Sequence, residues 1–372
     1  MEPAYLPIAR DIGGQSTNDI MSLKTKAIGT FDPNGPGIQG NLFGLPYTPA
    51  TAELVIVPVP WEVTVSYHTG TARGPQAVLD ASWQVDLCLK HIPDAWKYPV
   101  SMLTVPRDLY EESKRLRQLA QKQVQSVRAG NSNLDGLIFT KVNEGCETLN
   151  IYIKSMAERL LQGGKTVGLL GGDHSTPLGL MRALSDRHSS FGILHIDAHA
   201  DLRKAYEGFT YSHGSVMYNA LKLPAISRLV QVGIRDYCDE ELQLINASGG
   251  RIKTFFDQDL QEKQYAGQSW DSLADDIIRE LPEEVYISFD IDGLDPKLCP
   301  NTGTPVPGGL EFEQALLLIR KVATTGRRII GFDLNEVGTS PNNDWDANVG
   351  ARLLYRLCMY QGVSVGKLKY VK

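Results

Sequence analysis

Short apolar runs alternate with longer amphipathic stretches from residue 54 onward. The stretches between the runs repeat apolar residues at helical spacing, as in SWDSLADDIIREL and EFEQALLLIRKVATT. Near-continuous apolar strands that alternate with helices are typical of a parallel sheet covered on both faces. The runs that we predict to be strands are 54–59, 166–172, 191–197, 228–234, 284–292 and 328–334.

The first fifty residues have a different character. The segment TFDPNGPGIQGNLFGLPYTP is dense in Gly, Pro and Asn and has little periodicity. This composition predicts an irregular N-terminal extension over residues 1–50, followed by the body of the chain over 51–372. Within the body, the stretch 93–140 is less regular, and we predict one helix in it near 111–128. Apolar side chains such as Phe31, Phe43 and Tyr47 favour docking of the extension on the body or on a neighbouring subunit.

Composition and charge narrow the class of protein. A chain of 372 residues allows one large domain or two medium ones, and 42% hydrophobic with 22% charged residues is ordinary for a soluble globular enzyme. The net charge is −6 and there is no long basic run, so neither nucleic acid nor a membrane surface is an expected partner. The N-terminus lacks a signal-peptide pattern, and a cytoplasmic location is expected.

The cysteines are odd in number, scattered, and form no CxxC pair. This spacing argues against a disulfide framework and against a thiolate zinc site. We expect reduced thiols at Cys88, Cys146, Cys238, Cys299 and Cys358.

Residue types that bind metal ions follow three of the predicted strands, in GGDHS, HIDAHAD and SFDIDGLDP. In such sheets the ligand site lies outside the carboxyl ends of the strands. In extended backbone, residues i, i+2 and i+4 point to the same face, so these side chains can converge. The candidate ligands are His174, Asp197, His199, Asp201, Asp290 and Asp292.

Burying several carboxylates together is very unfavourable unless a cation compensates them. Two divalent cations compensate four carboxylates better than one does. Mixed imidazole and carboxylate ligands suit Mn, Fe, Ni, Co or Zn rather than Ca, and two such ions are a common hydrolytic arrangement. For Asp173 and Asp295, a capping, turn or orienting role is the alternative to metal binding.

These motifs, in this order, resemble those of the ureohydrolases, the family of arginase, agmatinase and guanidinobutyrase. YSHGSVM, the loop NTGTPVPGG and the strand GFDLNEV match as well, and the resemblance covers roughly residues 50–362. It implies one domain, a three-layer αβα sandwich around a mostly parallel eight-stranded sheet of the arginase-like α/β class. It also implies a homo-oligomer, either a trimer or a hexamer.

The resemblance implies roles for the site residues as well. His213 matches the active-site histidine that can move a proton, Glu336 the carboxylate that meets the substrate guanidinium, and Thr304 a loop threonine near the same group. Asp197 and Asp290 would bridge the two ions together with the attacking hydroxide. One ion would take His174, Asp197, Asp201 and Asp290, and the other Asp197, His199, Asp290 and Asp292.

The extension and the body motifs together are similar to the guanidine hydrolase branch of cyanobacteria. That similarity implies hydrolysis of guanidine to urea and ammonia, nickel as the favoured metal with manganese as the alternative, and accessory proteins that deliver nickel. An agmatinase or guanidinobutyrase that acts on a longer guanidino compound is the first alternative. A non-catalytic relative is the second, although every ligand type, His213 and Glu336 are present.

The loops expected above the metals, 61–70, 203–212 and 340–346, are rich in aromatic residues. An aromatic pocket would suit a very small cation, but these side chains could equally pack the rim. Glu62 and Glu207 could serve a terminal ammonium. The aromatic and imidazole side chains in question are Trp61, Tyr67, His68, Tyr206, Phe209, Tyr211 and Trp345.

Overall fold

Eight parallel strands form one sheet in the described part of the chain, residues 17–130 and 136–372 of a computed structural model. Their order across the sheet is β2-β1-β3-β8-β7-β4-β5-β6. The strands are β1 Leu54–Val59, β2 Val100–Met102, β3 Thr166–Gly171, β4 Phe191–Ile196, β5 Ile226–Ile234, β6 Ile252–Phe256, β7 Glu284–Asp290 and β8 Arg328–Asn335.

Helices cover both faces of this sheet. Side chains alternate along each strand, so Leu54 and Ile56 of β1 join one apolar core while Val55 and Val57 join the other. Helices α2 and α8 to α11 pack on the first core, and α3 to α7 on the second, which gives the expected three-layer αβα sandwich. The helices are α1 Thr17–Thr30, α2 Gly74–Ala81, α3 Arg107–Arg128, α4 Gly136–Gln162, α5 Leu178–Ser185, α6 Val216–Ala220, α7 Asp239–Ala247, α8 Asp257–Tyr265, α9 Trp270–Arg279, α10 Phe312–Thr324 and α11 Trp345–Ser364.

The six strands predicted from apolar runs are all present. The apolar pattern missed β2 and β6, which are the two edge strands. β2 has only three residues, and β6 reads IKTFF, in which a lysine and a threonine interrupt the apolar run. Both signals are too weak to distinguish an edge strand from a loop.

The N-terminal extension docks on the body of the protein. Leu42, Phe43, Leu45 and Tyr47 are buried in the first core, and Phe43 N donates to Ser82 Oγ at 2.9 Å. The extension is not irregular throughout, because Thr17–Thr30 forms α1. That segment contains no proline, and the Gly- and Pro-rich composition that suggested an irregular chain begins only near its end. The boundary at residue 50 stays a prediction, and residues 1–16 lie outside the described part.

None of the helices in the described ranges combines the length and the apolar character needed to cross a bilayer.

Candidate metal centre and active site

The four central strands, in the spatial order β3-β8-β7-β4, direct their carboxyl ends to one edge of the sheet. Because the strands are parallel, the segments that follow them meet at that edge. The structure therefore brings the predicted ligand types together from three separate stretches of sequence. The residues at or just after these strand ends are His174 after β3, Glu336 after β8, Asp290 and Asp292 at β7, and Asp197, His199 and Asp201 after β4.

One group of ligand atoms surrounds the Nδ1 atom of His174. The imidazole and the carboxylates around it are almost completely buried. Nitrogen and oxygen ligands gathered at this spacing are the donor set that a transition-metal ion requires. The distances from His174 Nδ1 are 2.9 Å to Asp197 Oδ2, 3.1 Å to Asp201 Oδ2 and 3.3 Å to Asp290 Oδ2.

A second group surrounds the Nδ1 atom of His199. Asp292 Oδ2 lies 3.2 Å away and Asp197 Oδ1 lies 3.4 Å away. The ligand atoms of these three residues all lie within 4.8 Å of one another. Asp197 faces both groups through its two oxygens, as a bridging ligand would. Asp290 contacts only the first group by these distances, so its bridging role stays a prediction.

The backbone after β4 does not continue as a strand, contrary to the simple i, i+2, i+4 expectation. β4 ends at Ile196, and Asp201 has a φ of 54°, in the left-handed region. The carboxylates themselves hold the turn: Asp197 Oδ1 accepts from His199 N at 2.6 Å, and Asp292 Oδ1 accepts from Ala198 N at 3.1 Å. Convergence at the site thus comes from a hydrogen-bonded turn rather than from extended backbone.

The buried carboxylates of the cluster need cations to compensate their negative charge. Burial raises the pKa of Asp201 to about 6, with a further contribution from the charge of Asp197. Burial, Asp292 and Asp197 raise the pKa of Asp290 well above its usual range. Within the described residues, Asp292 Oδ2 has no hydrogen-bond partner. Buried carboxylates that resist ionisation side by side, with an unsatisfied oxygen, fit a pair of divalent cations.

His174 is oriented from behind by two further buried side chains. Its Nε2 lies 2.9 Å from Ser288 Oγ, and Ser288 donates its hydroxyl proton to Asp333 Oδ1 at 3.0 Å. Ser288 Oγ must therefore accept from His174 Nε2–H. In the neutral ring, this arrangement leaves the Nδ1 lone pair of His174 directed at the carboxylates, where a metal ion can use it. Burial raises the pKa of Asp333 to about 6.

His195 joins the cluster and is not among the ligands predicted from the sequence. Its side chain is fully buried, and Nε2 lies 2.8 Å from Asp197 Oδ2. By distance alone it belongs to a group of possible ligands with His174, Asp197 and Asp201. The available signal was its position two residues before Asp197, because extended backbone at the end of β4 places side chains i and i+2 on the same side.

Glu336 presents a buried carboxylate beside His174. Its Oε1 accepts from His174 N at 3.0 Å, while Oε2 has no hydrogen-bond partner among the described residues. Burial raises the pKa of Glu336 well above its usual range, and Asp173 adds to this shift. The φ of Glu336 is 61°, a conformation that costs a non-glycine residue roughly 1 kcal/mol. A strained, unsatisfied carboxylate of this kind indicates a group held ready for a ligand.

Two threonines of the loop between β7 and α10, Thr302 and Thr304, have different surroundings. Thr304 lines the open cavity, whereas Thr302 donates to the backbone oxygen of Glu336 at 2.8 Å. The role given to Thr304 stays a prediction. Between the two threonines, Gly303 lies so close to Glu336 that an added Cβ would stand 2.6 Å from Oε2. A side chain at position 303 would therefore crowd the free oxygen of Glu336.

A cavity of about 260 Å³ opens above the two groups of ligand atoms. His213 faces it, with Nε2 3.4 Å from Ser66 Oγ and Nδ1 without a partner in the described part of the chain. Burial lowers the pKa of His213 to about 3, and His199 and Arg117 contribute, so the ring is neutral near pH 7. A neutral imidazole at this position can accept a proton. The wall is formed by Ser66, Tyr67, His199, Asp201, Arg203, Tyr206, His213, Gly214, Asp236, Glu241, Thr304, Pro305 and Val306.

Few of the predicted loop aromatics reach this cavity. Tyr67 and Tyr206 line it, and His68 stacks on Tyr67 with ring centroids 4.1 Å apart. Trp61 and Phe209 are buried in the second core, so they pack rather than face the cavity. Tyr211 lies beneath the guanidinium of Arg182, and Trp345 Nε1 donates to Lys297 O.

The two acidic side chains considered for a terminal ammonium are already engaged. Glu62 Oε2 accepts from Gly70 N at 2.7 Å and Ala72 N at 3.1 Å, which fixes the loop after β1. Glu207 pairs with Arg128 at 3.2 Å. Asp236 also lines the cavity; its side chain is 66% exposed, and its Oδ2 lies 3.8 Å from His199 Nε2.

Comparison with known proteins identifies the family. The arginase family model matches residues 52–360. The chain belongs to the arginase family. It is 32% identical to an N(1)-aminopropylagmatine ureohydrolase of Thermus thermophilus, over 88% of this chain and 97% of the relative. It is also 32% identical to a guanidinobutyrase of Pseudomonas aeruginosa, over 69% and 80% of the two chains.

The fold agrees with this assignment. The crystal structure of the agmatine ureohydrolase of Thermoplasma volcanium matches with a TM-score of 0.65, over 91% of this chain and 98% of that one, at 22% identity. These relatives are hydrolases that act on guanidino C–N bonds, and this member of the arginase family is an enzyme of that class. The arginase-like α/β fold expected from the motifs is confirmed.

Proposed function

We propose that the enzyme hydrolyses guanidine to urea and ammonia at a centre of two divalent cations. The observation that carries the proposal is Glu336 Oε2, a buried and unsatisfied carboxylate oxygen beside the ligand cluster. A guanidinium ion stays protonated in water and offers planar N–H donors, for which a carboxylate is the natural partner. The residues proposed to hold the cations are His174, Asp197, His199, Asp201, Asp290 and Asp292, with nickel favoured and manganese as the alternative.

The residues of this chain can carry the reaction from binding to release. When bound, the two cations would supply a water acidic enough to attack near neutral pH. Glu336 would hold the guanidinium so that the central carbon of the guanidinium lies above the ligand cluster. One C–O bond forms, one C–N bond breaks, and the leaving nitrogen must gain a proton. The attacking water supplies that proton. His213 is neutral near pH 7 and faces the cavity, so it can pass the proton from the water to the leaving nitrogen.

The shape of the cavity favours a substrate without a tail. Its volume of about 260 Å³ is small, and Tyr67 and Tyr206 form part of its wall. Glu62 and Glu207, which could have met a distal ammonium, are engaged by backbone N–H groups and by Arg128. Guanidine itself needs only the carboxylate of Glu336 and aromatic walls that stabilise a cation.

One observation favours the alternative, a longer guanidino substrate. Asp236 remains exposed at the rim, where it could meet the ammonium of agmatine. The relatives named above also act, by their names, on longer guanidino compounds. We therefore keep agmatine and 4-guanidinobutyrate as the second candidates.

A substrate panel distinguishes these candidates. Protein loaded separately with Ni(II) or Mn(II) is given guanidine, agmatine, 4-guanidinobutyrate and arginine, and urea release is measured. We expect the highest kcat/KM with guanidine, and higher activity with nickel than with manganese. The matched variant is Asp236→Asn, which should change the KM for guanidine less than the KM for agmatine because Asp236 lies at the rim. Its Oδ2 is also 3.8 Å from His199 Nε2, so metal content is measured beside the kinetics.

Urea from agmatine but not from guanidine would refute guanidine as the substrate. Asp236→Asn would then raise the KM for agmatine. If metal-loaded protein released urea from none of the four compounds, the non-catalytic alternative would be supported instead.

Gly303→Ala tests whether the space beside Glu336 is the guanidinium site. The new methyl group would stand 2.6 Å from Glu336 Oε2, so it would compete with the substrate for that space. We expect KM for the substrate to rise about 10- to 100-fold, as for overpacking by 1–3 kcal/mol, with metal content unchanged. Steady-state kinetics measure KM, and elemental analysis measures metal content. An unchanged KM would place the guanidinium away from Glu336.

A further inference from the structure

A row of polar side chains crosses the sheet beneath the ligand cluster. The strand register places Asp333, Ser288, His195, Gln231 and Thr254 side by side on β8, β7, β4, β5 and β6. These five lie in the sheet rather than in the loops that line the cavity. The first two support His174, as described above. The other three side chains, His195, Gln231 and Thr254, have no role in the reaction proposed so far.

A backbone carbonyl fixes the orientation of the Gln231 amide. Gln231 is fully buried, and its Nε2 donates to Ala200 O at 2.7 Å. A carbonyl oxygen can only accept, so the NH₂ group must lie on this side of the amide. Thr254 Oγ1 donates to Gln231 Oε1 at 2.9 Å, which is consistent with the same orientation.

The oriented amide in turn selects the tautomer of His195. The second hydrogen of Gln231 Nε2 faces His195 Nδ1 at 3.0 Å. Nδ1 must therefore accept, and the ring proton of a neutral His195 resides on Nε2. That nitrogen lies 2.8 Å from Asp197 Oδ2, so His195 donates a hydrogen bond to this carboxylate.

We propose that His195 is a positioning residue of the metal centre and not one of its ligands. His195 fixes the carboxylate of Asp197, the residue that faces both groups of ligand atoms. Gln231 keeps the ring proton of His195 on Nε2, the nitrogen that donates to Asp197. A nitrogen that carries a proton has no lone pair for a metal ion, although distance alone would allow His195 as a ligand. The proposal rests on the metal centre proposed above.

Substitutions at His195 separate a donor from a ligand. His195→Gln places an amide N–H near the position of Nε2, whereas His195→Phe fills the space without a donor. Loss of a partner that orients a ligand typically costs 10- to 100-fold in metal affinity. We expect that loss for His195→Phe, an affinity within about 10-fold of wild type for His195→Gln, and two ions per chain at saturation in both. Competition with a chelator for Ni(II) and Mn(II) measures affinity, and elemental analysis measures stoichiometry.

A matched pair of glutamine variants separates positioning from stability. Gln231→Met removes the donor to His195. Gln361→Met removes an equally buried amide, on α11, that bonds Ile329 O. Both variants should lower the free energy of unfolding, but only Gln231→Met should weaken metal binding. In protein with ¹⁵N-labelled histidine and bound Zn(II), the spectrum should show His195 Nδ1 unprotonated and Nε2 protonated. Gln231→Met should change that pattern.

Loss of one ion at saturation in both His195 variants would make His195 a ligand and overturn the proposal. Unchanged metal affinity in His195→Phe, or an unprotonated Nε2 in the wild type, would overturn it as well. If His195→Phe fails to fold, Gln231→Met and the wild-type spectrum decide the question. Wild-type protein that binds two ions but releases no urea would refute the proposed function while leaving this inference standing.

Discussion

Asp290→Asn should abolish urea release and leave the protein with fewer than two bound divalent ions. Asp290 Oδ2 lies 3.3 Å from His174 Nδ1, and burial, Asp292 and Asp197 raise the pKa of Asp290 well above its usual range. Asparagine keeps the shape but removes the negative charge that a cation needs. Loss of several kcal/mol of metal-assisted stabilisation corresponds to a fall in kcat/KM of about a thousandfold or more. Elemental analysis and urea release measure the two effects together.

Asp295→Asn is the matched control for this change. Asp295 lies in the same SFDIDGLDP motif, but its carboxylate caps Lys297 N and pairs with Lys297 Nζ instead of facing the ligand cluster. This variant should keep both ions and nearly full activity. Full metal content in Asp290→Asn would contradict the ligand role of Asp290. A metal-depleted Asp295→Asn would mean that the motif, rather than the individual carboxylate, controls binding.

The thermal stability of the metal-free protein independently tests the effect of the Asp290 charge. A carboxyl group whose folded pKa is raised destabilises the fold at pH values above its unfolded pKa of 3.8, and the penalty disappears below that value. Metal-free Asp290→Asn should therefore unfold at a higher temperature than metal-free wild type at pH 7, with little difference near pH 4. Saturating metal should reverse the order at pH 7, because the wild type binds the ions more tightly. An unchanged order with metal would show that Asp290 does not contribute to binding.

The sequence predicts much of this site because ligand types follow buried strands. His174, Asp197 and Asp290 stand where apolar runs end, and a parallel sheet must bring such ends to one edge. The turn that ends at Asp201 was not predictable from strand periodicity. It contains a left-handed residue, Asp201, and a hydrogen bond from Ala198 N to Asp292, which is 94 positions away in sequence. Motif resemblance supplied Glu336 and His213, which local pattern alone would not distinguish from ordinary loop residues.

Residues that act through other residues escaped prediction for a physical reason. His195 and Gln231 lie inside strands whose apolar character dominates the pattern, and their roles appear only once the strand register is known. Thr302, which bonds the backbone of Glu336, is separated from it by 34 positions in sequence. The edge strands β2 and β6 were missed because short or interrupted apolar runs carry little signal. Long-range pairing, rather than local propensity, determines all of these features.

Glu336→Gln should lower kcat/KM about a hundredfold while both metal ions remain bound. The expected loss is about 3 kcal/mol, within the range for breaking a buried charge pair. The substitution is selective, because the amide oxygen can still accept from His174 N as Oε1 does now at 3.0 Å. The free Oε2 is replaced by an NH₂ donor, which repels the N–H groups of a guanidinium.

The effect of Glu336→Gln should appear mainly in KM, since the carboxylate holds the guanidinium before as well as during the reaction. Steady-state kinetics with guanidine and metal analysis of the same preparation measure it. Glu336→Asp is the control: it keeps the charge but shortens the reach, so it should retain more activity than the glutamine variant. Loss of metal from Glu336→Gln would show that Glu336 organises His174 rather than the substrate. Unchanged kinetics would remove Glu336 from the reaction, and with it the observation on which the assignment of a guanidinium substrate rests.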